Sequence, residues 1–203
     1  MTTIRVLEVV IDCPGPDPRP LRDFYQQLTG FTAEDFEPGY NPLLTSPAGC
    51  GLGFQPVEDY RPPTWPTQER GQQIHLEFVT EDIAAAVAYA ESIGATRAPA
   101  PPEDDFTVML DPAGHPFCIA APFTGLEQYS RQREIVRDGV PNITLAGVNF
   151  DCPDLAQMIR FMIGMTGMEY VAPEGEYPKL LGENGLLYLF QEVEGCLPPT
   201  WPS

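Results

Sequence analysis

The chain has little positive charge and little histidine. Of its 203 residues, 11 are Lys or Arg against 29 that are Asp or Glu, which gives a formal net charge of -18. Its only histidines are His75 and His115. A field of this sign repels phosphates and anionic lipid. The composition therefore argues against nucleic acid and membrane surfaces as partners.

Two kinds of segment are also missing. No apolar run approaches the roughly 18 residues that a membrane span needs. The N-terminus, Met1-Thr2-Thr3-Ile4-Arg5, lacks the charged-then-apolar pattern of a signal peptide. The five cysteines are odd in number and form no Cys-x-x-Cys pair, so neither a disulfide framework nor a zinc knuckle is expected. These absences predict a cytoplasmic protein.

Residues that favour turns are abundant, and they lie between short segments with the periodicity of strands and helices. The 24 prolines and 18 glycines fall between those segments rather than in one tract. The first unit opens with an apolar strand over residues 4–13, followed by a helix that Asp17 is expected to cap. Leu21, Phe24, Tyr25 and Leu28 form one apolar stripe of that helix. Short strands near residues 31–36, 42–46 and 51–56 complete a β-α-β-β-β unit.

The second unit begins at residues 73–83, where a strand runs straight into a helix. Asp82 is placed to cap that helix, and Gly94 to end it. Strands over 106–110 and 117–121 follow, joined by the turn Asp111-Pro112-Ala113-Gly114. The same β-α-β-β-β pattern is therefore present twice.

A third unit is recognised because it repeats the first. The matches are Val10-Ile11-Asp12-Cys13-Pro14 with Asn149-Phe150-Asp151-Cys152-Pro153, residues 24–31 with 161–168, and the connector ending Trp65-Pro66 with the one ending Trp201-Pro202. A repeat this long predicts a modular fold. We predict an α+β protein with a domain over 1–122 (modules 4–66 and 72–122), a helical linker over 123–142, and a third module over 143–203, which is half of a second domain.

Three motifs carry a family resemblance. They are Pro63-Thr64-Trp65-Pro66, His75-Leu76-Glu77 and the ending Asp111-Pro112-Ala113-Gly114-His115-Pro116-Phe117-Cys118. Together with the modules they resemble the glyoxalase-like domains of the vicinal-oxygen-chelate superfamily, which includes glyoxalase I, bleomycin-resistance proteins and extradiol dioxygenases. The resemblance implies paired modules that curl mixed sheets around a cavity.

The resemblance also implies metal ligands on the first and last strand of each module. Carried over residue by residue, these positions fall on Glu8, Gly53, His75 and Cys118, and Glu8 has Gly147 as its counterpart in the third module. Two of the four positions depart from the metalloenzyme pattern. No metal is therefore expected. If a divalent Fe, Mn, Ni or Zn ion does bind, Glu8 and His75 are the expected ligands.

The residues themselves suggest a pocket. His75 and Glu77 lie two apart on one strand, so they share a face, and such a pair can act as an acid–base couple. Glu8 interrupts an apolar strand, where a carboxylate needs a partner or a wet cavity. Pocket lining without catalysis is the alternative for the pair, and solvent exposure for Glu8. The predicted ligand-binding residues are Glu8, Phe54, Trp65, His75, Glu77 and Cys118.

Two functions follow from this pocket. The first is a glyoxalase-like small-molecule-binding protein, without the full metal site, that holds an apolar or aromatic metabolite. The alternative is a lyase, isomerase or dioxygenase that uses His75 with a divalent metal or as an acid or base. The third module lacks a partner, which predicts a homodimer through 143–203 or a truncated two-domain protein rather than a cap on the first domain.

Overall fold

The computed structural model describes residues 4, 6–34, 42–67, 69–99, 105–122, 135–171, 177–183 and 185–197. Within these ranges the chain is α+β, as predicted. Its elements in chain order are β1 (Glu8–Pro14), α1 (Arg19–Thr29), β2 (Thr32–Glu34), β3 (Leu43–Thr45), β4 (Gly51–Val57), β5 (Ile74–Val79), α2 (Ile83–Ser92), β6 (Thr96–Arg97), β7 (Phe106–Leu110), β8 (Pro116–Ala120), β9 (Thr144–Cys152), α3 (Leu155–Thr166), β10 (Glu169–Tyr170), β11 (Lys179–Leu181) and β12 (Leu187–Glu192).

The strands form two mixed sheets. One has four strands in the order β1-β4-β3-β2, and the other has eight in the order β10-β11-β12-β9-β5-β8-β7-β6. In every module the first strand pairs in parallel with the last, as in β1 with β4. The eight-stranded sheet is continuous because β5 of module 2 pairs antiparallel with β9 of module 3. Module 1 keeps a sheet of its own, with β1 at its edge.

Modules 1 and 2 meet through a helix rather than through strands. The ring of Tyr25 on α1 lies 5.7 Å from Phe54 of its own sheet and 6.5 Å from Phe78 and from Phe117 of module 2. Phe24 adds a contact to Phe117 at 6.1 Å. The apolar stripe seen in the sequence is therefore buried between the two sheets, and it supplies a large share of the core.

The helix starts follow side-chain chemistry in two cases of three. Asp82 and Asp154 each accept a hydrogen bond from the third residue of the helix that follows, at 2.9 and 2.8 Å. The cap expected from Asp17 does not form, because α1 begins after Pro18, which makes no side-chain cap. The Asp17 carboxylate instead accepts hydrogen bonds from Arg19 at 2.8 Å. That ion pair holds the pKa of Asp17 at about 2, below its usual range.

The segment between modules 2 and 3 is described only from residue 135. The helix predicted for the linker stays a prediction for residues 123–134, which lie outside the described ranges, as does Trp201. Residues 135–142 contain no helix; Arg137 and Val140 form a β-bridge around a turn in which Gly139 has φ 72°. Arg137 donates a hydrogen bond to Leu28 O at 2.9 Å, which attaches this segment to the end of α1. None of the helices in the described ranges is long and apolar enough to cross a membrane.

Candidate functional site

The polar site forms along the β5–β9 pairing, which we call the seam. His75 and Glu77 point to one face of β5, opposite the core face that carries Leu76 and Phe78. In the register His75 lies opposite Asn149 of β9, and Glu77 lies beside Cys118 of β8. Asp151 and Tyr177 complete the group. The seam site is thus His75, Glu77, Cys118, Asn149, Asp151 and Tyr177.

His75 lies between two carboxylates. Its Nε2 is 3.0 Å from Glu77 Oε1, and its Nδ1 is 3.8 Å from Asp151 Oδ1. Asn149 Nδ2 donates to the same Glu77 oxygen at 3.3 Å. His75, Asn149 and Asp151 are all buried. The four side chains form one chain of polar contacts across two strands from different modules.

Tyr177 forms the solvent side of this group. Its hydroxyl lies 3.5 Å from Asn149 Nδ2 and donates to Gln191 Oε1 at 3.2 Å. The residue remains 44% exposed, so it is the part of the seam site that solvent meets first. Burial raises the pKa of its phenol to about 12, and the negative charges of Glu77 and Asp151 act in the same direction. The hydroxyl therefore keeps its proton at neutral pH.

Burial also raises the pKa of one acid, Asp151, and of the Cys118 thiol. It raises the pKa of Asp151, with the Glu77 charge adding to the effect and His75 opposing it. Burial, and then the charge of Glu77, raise the pKa of the Cys118 thiol well above its usual range. A thiol in this setting is a poor nucleophile because its thiolate is disfavoured.

Three of the six predicted ligand-binding residues lie together, and three lie elsewhere. His75, Glu77 and Cys118 are part of the seam site. Glu8 is exposed on β1 of the separate four-stranded sheet. Phe54 is fully buried in the core against Tyr25, and Trp65 is half-buried in the connector between β4 and β5.

The separation of Glu8 from His75 has a topological cause. The expectation rested on module 1 and module 2 facing one cavity. β5 pairs with β8 on one side and β9 on the other, so β1 does not pair with it. Residues 9–12 of β1 and 74–76 of β5 do line one cavity of about 440 Å³, but Glu8 is not among its lining residues. The position facing the pair is therefore taken by module 3 residues.

A metal would need a different donor set from the one predicted. Glu8 and His75 lie on different sheets, so they do not form it. Donor atoms of His75, Glu77 and Cys118 lie within 4.8 Å of one another. A thiolate, an imidazole and a carboxylate suit zinc better than the harder ions Fe, Mn or Ni.

In the described part of module 3, the position that corresponds to the first-strand ligand carries no donor. The counterpart of the first-strand ligand position is Gly147, and a Cβ there would lie 2.6 Å from Leu189 Cδ1 and 2.6 Å from Leu187 O. The Leu189 side chain thus occupies the space, so this side of the seam site is apolar. The three donors whose atoms lie close together therefore all come from module 2, and the nearest described carboxylate of module 3, Asp151, lies 3.8 Å from His75 Nδ1.

The second histidine has a structural position. His115 Nε2 lies 2.7 Å from the backbone oxygen of Asp12 and 2.9 Å from the hydroxyl of Tyr60. Asp12 is on β1, so the ring covers part of the open edge of the four-stranded sheet. Asp111, at the start of the same turn, accepts hydrogen bonds from Tyr25 Oη and from two backbone amides. Cavities of about 440 and 560 Å³ flank His115 at this junction.

The sequence interpretation missed three members of the seam site, namely Asn149, Asp151 and Tyr177. The first two carried a readable signal, because an Asn and an Asp two apart in an apolar strand share a face. They were read only as part of the repeat, since module 3 was not expected to face His75. Tyr177 lies between β10 and β11 and has no such pattern.

Comparison with known proteins agrees with this architecture. The sequence profile described as "Glyoxalase-like domain" matches residues 8–120, more than half of the chain. A mutant of glyoxalase I from Zea mays is similar in structure, with a TM-score of 0.60 and 17% identity over 94% of this chain and 68% of that one. A putative dioxygenase from Bacillus subtilis gives 0.58 and 16% over 97% of this chain and 64% of that one. No curated protein sequence matches.

The modules and their sheets define a protein of the vicinal-oxygen-chelate superfamily. Identities this low show the fold alone, and the chain spans about two thirds of the length of those two structures. The chain belongs to the glyoxalase-like domain family, on the match over residues 8–120.

Proposed function

We propose that this protein binds a small molecule at the seam site and does so without a metal. The ligand has an apolar or aromatic body that lies against Leu189 and the Gly147 backbone. Its polar end reaches His75, Glu77 and Asp151. The observation that supports this is the chain of buried polar contacts from Asp151 through His75 and Glu77 to Asn149.

The distribution of donors favours binding over metal chemistry. A metal that presents two neighbouring oxygens of a substrate needs about three protein ligands and further open positions. Here the third donor is the buried Cys118 thiol rather than a second imidazole or carboxylate, and module 3 contributes Gly147 and Leu189. Ligand binding needs only the hydrogen-bonding groups that the site already holds.

An enzyme at the same site is the second candidate. A histidine flanked by two carboxylates can accept a proton from a ligand and return it, which fits a lyase or an isomerase. Glu77, at 3.0 Å from Nε2, would orient the ring. A dioxygenase would require a metal, for which His75, Glu77 and Cys118 are the candidate ligands.

A thermal-shift screen of aromatic and apolar metabolites tests the proposal. Wild type is compared with His75→Ala, and each ligand shift is taken relative to the same variant without ligand. We expect ligands whose shift is lost in His75→Ala and kept in Glu8→Ala, a control acid outside the seam site. Equal shifts in all three chains would remove the seam site from binding.

Elemental analysis of protein purified without a histidine tag separates metal-free binding from the metal-dependent form of the enzyme. The proposal expects less than stoichiometric Fe, Mn, Ni or Zn together with retained ligand shifts. A stoichiometric metal that disappears in Cys118→Ser would favour the enzyme instead.

A further inference from the structure

Two acceptors in the seam site have no donor. Asn149 Oδ1 and Asp151 Oδ1 are buried and have no hydrogen-bond partner in the described part of the chain. Asn149 is 5% exposed and Asp151 is 8% exposed. Buried polar atoms are almost always paired, because an unpaired one loses its water without replacement. Two such atoms on one strand face indicate that a ligand supplies the missing donors.

The chain cannot supply the missing donors from the same group. Asn149 Nδ2 is directed to Glu77 Oε1, and the Tyr177 hydroxyl donates to Gln191. His75 Nε2 faces Glu77, and its Nδ1 is 3.8 Å from Asp151 Oδ1, too far for a hydrogen bond. The hydrogen-bond donors of the seam site therefore already have acceptors, and two acceptors remain without a donor.

The charges around these acceptors select the kind of donor. Glu77 and Asp151 are both carboxylic acids, and the whole chain carries a formal charge of -18. Lys179 of β11 is on the same face, since Lys179, Leu189, Asn149 and His75 follow one another in the strand register. That lysine is two strands from Asn149 and already has a contact of its own. The field at the acceptors favours a cationic donor over a neutral one, and disfavours an anion.

We propose that the ligand of the seam site carries a protonated amine, which donates to Asn149 Oδ1 and Asp151 Oδ1. The proposal rests on the proposed small-molecule function and adds the chemical class of the ligand. An ammonium group has three donors and no acceptor, which matches a site with acceptors in excess. It approaches past Tyr177, the exposed member of the group, and its apolar body remains on the Leu189 side.

The amine site differs from the candidate metal set by the atoms used. The metal set takes donors of His75, Glu77 and Cys118, all from module 2. The unpaired acceptors both lie on β9 of module 3. A variant on β9 therefore changes amine binding and leaves the metal donors in place.

Three compounds with the same ring and different polar ends provide the test: benzylamine, benzyl alcohol and benzoate. Binding to wild type is measured by titration calorimetry or NMR at pH 7. We expect benzylamine to bind about tenfold more tightly than benzyl alcohol, the difference expected of one charge-assisted hydrogen bond. We expect no binding of benzoate.

Variants on β9 locate the effect. Asp151→Asn removes the charge and should bring benzylamine and benzyl alcohol to about equal affinity. Asp12→Asn, the equivalent strand position in module 1, makes the same change in net charge outside the seam site and should keep the preference. If Asp151→Asn does not fold, the order of the three compounds on wild type still decides.

Each outcome has one meaning. A benzylamine preference lost in Asp151→Asn and kept in Asp12→Asn supports the proposal. Equal affinities, a preference for benzoate, or a preference that Asp151→Asn does not change would overturn it and leave the acceptors to water. If none of the three binds while the metabolite screen finds a His75-dependent ligand without an amine, the ligand class is wrong and the binding function stands. If that screen also finds no His75-dependent ligand, both fail.

Discussion

Modules 1 and 3 repeat one sequence pattern, yet they bury opposite surfaces. On the helices, Phe24 of α1 is 2% exposed, whereas Phe161, its repeat counterpart on α3, is 59% exposed. On the first strands the order is reversed. Val10 of β1 is 43% exposed, and its counterpart Asn149 of β9 is 5% exposed. In module 1 this helix position is buried and this strand position is exposed. In module 3 the helix position is exposed and the strand position is buried.

The difference shows which contact builds a site in this fold. Each module has two surfaces that need a neighbour, the outer face of its helix and the free edge of its first strand. Module 2 meets module 1 through α1 and meets module 3 through β9. The helix contact pairs the Tyr25 hydroxyl with Asp111, whereas the strand contact brings His75 and Glu77 of module 2 against Asn149 and Asp151 of module 3, and the seam site lies there. At the free edge of β1 the corresponding acid, Asp12, accepts a hydrogen bond from Gln55 at its carboxylate, and its backbone oxygen lies 2.7 Å from His115 Nε2.

The largest expected change in stability concerns the helix residues Phe24 and Phe161. Phe24→Ala removes a buried ring from the contact between modules and should lower the free energy of unfolding by about 3–5 kcal/mol. Phe161→Ala removes an exposed ring and should cost a single chain less than about 0.5 kcal/mol. Denaturant unfolding at low protein concentration measures both.

The same pair of variants tests the predicted homodimer through residues 143–203. If α3 is covered by a second chain, the cost of Phe161→Ala grows with protein concentration and its sedimentation mass falls below that of wild type. A single-chain mass at every concentration would contradict the dimer. Equal costs for the two variants at low concentration would contradict the difference between the helices.

An intermediate change in stability is expected for two glycines beside the first strands, Gly147 and Gly53. Gly147→Ala places a Cβ 2.6 Å from the Leu187 backbone oxygen, so the paired strands must separate. We expect a loss of about 2–3 kcal/mol, as for other overpacked sites. The control is Gly53→Ala beside the open strand β1, where the nearest atoms lie at 3.4 Å and the cost should stay within about 0.5 kcal/mol. Denaturant unfolding curves of the two variants and wild type measure these costs. If Gly147→Ala is as stable as wild type, β9 and β12 can move apart.

The smallest effect concerns the acids at equivalent positions, Asp151 and Asp12. Because burial raises the pKa of Asp151 in the folded chain, the folded state binds that proton more tightly than the unfolded state does. The associated stability is present below the unfolded pKa of about 4 and is lost as pH rises through the folded value. Wild type should therefore gain stability relative to Asp151→Asn as pH falls from 7 to 4.

The groups that face Asp151 are His75, Glu77, Cys118 and Tyr177. Unfolding of wild type, Asp151→Asn and Asp12→Asn is followed across that pH range, and the Asp12→Asn series corrects for the loss of one charge. A difference that grows toward high pH instead would give Asp151 the opposite sign and contradict its burial as an acid.

Much of the fold was readable because it depends on local patterns. The apolar stripe of α1, the caps at Asp82 and the turn from Asp111 to Gly114 each follow from neighbouring residues. The repeat then showed that the same unit recurs. The cap expected from Asp17 failed because α1 begins one residue later, after Pro18, which leaves Asp17 outside the N-cap position.

Only part of the site could be predicted from the sequence, because neighbouring residues do not determine which strands of different modules pair. His75 and Glu77 share a face on any first strand, so their pairing could be predicted. Which strand faces them depends on whether β5 meets β1 or β9, and both carry the same repeat. The family resemblance points to Glu8 on β1, whereas the residue directly opposite His75 is Asn149 on β9.

The antiparallel register of β5 and β9 also divides the recognition groups between two stretches of chain about 70 residues apart. β5 carries the histidine and one acid, and β9 carries the amide and the other acid. A substitution in either stretch changes one half of the contacts and leaves the other half in place. Under the proposed function, substitutions on β9 alone would change which ligand is accepted, and a region cut to the family match over residues 8–120 would keep His75 without Asn149 and Asp151.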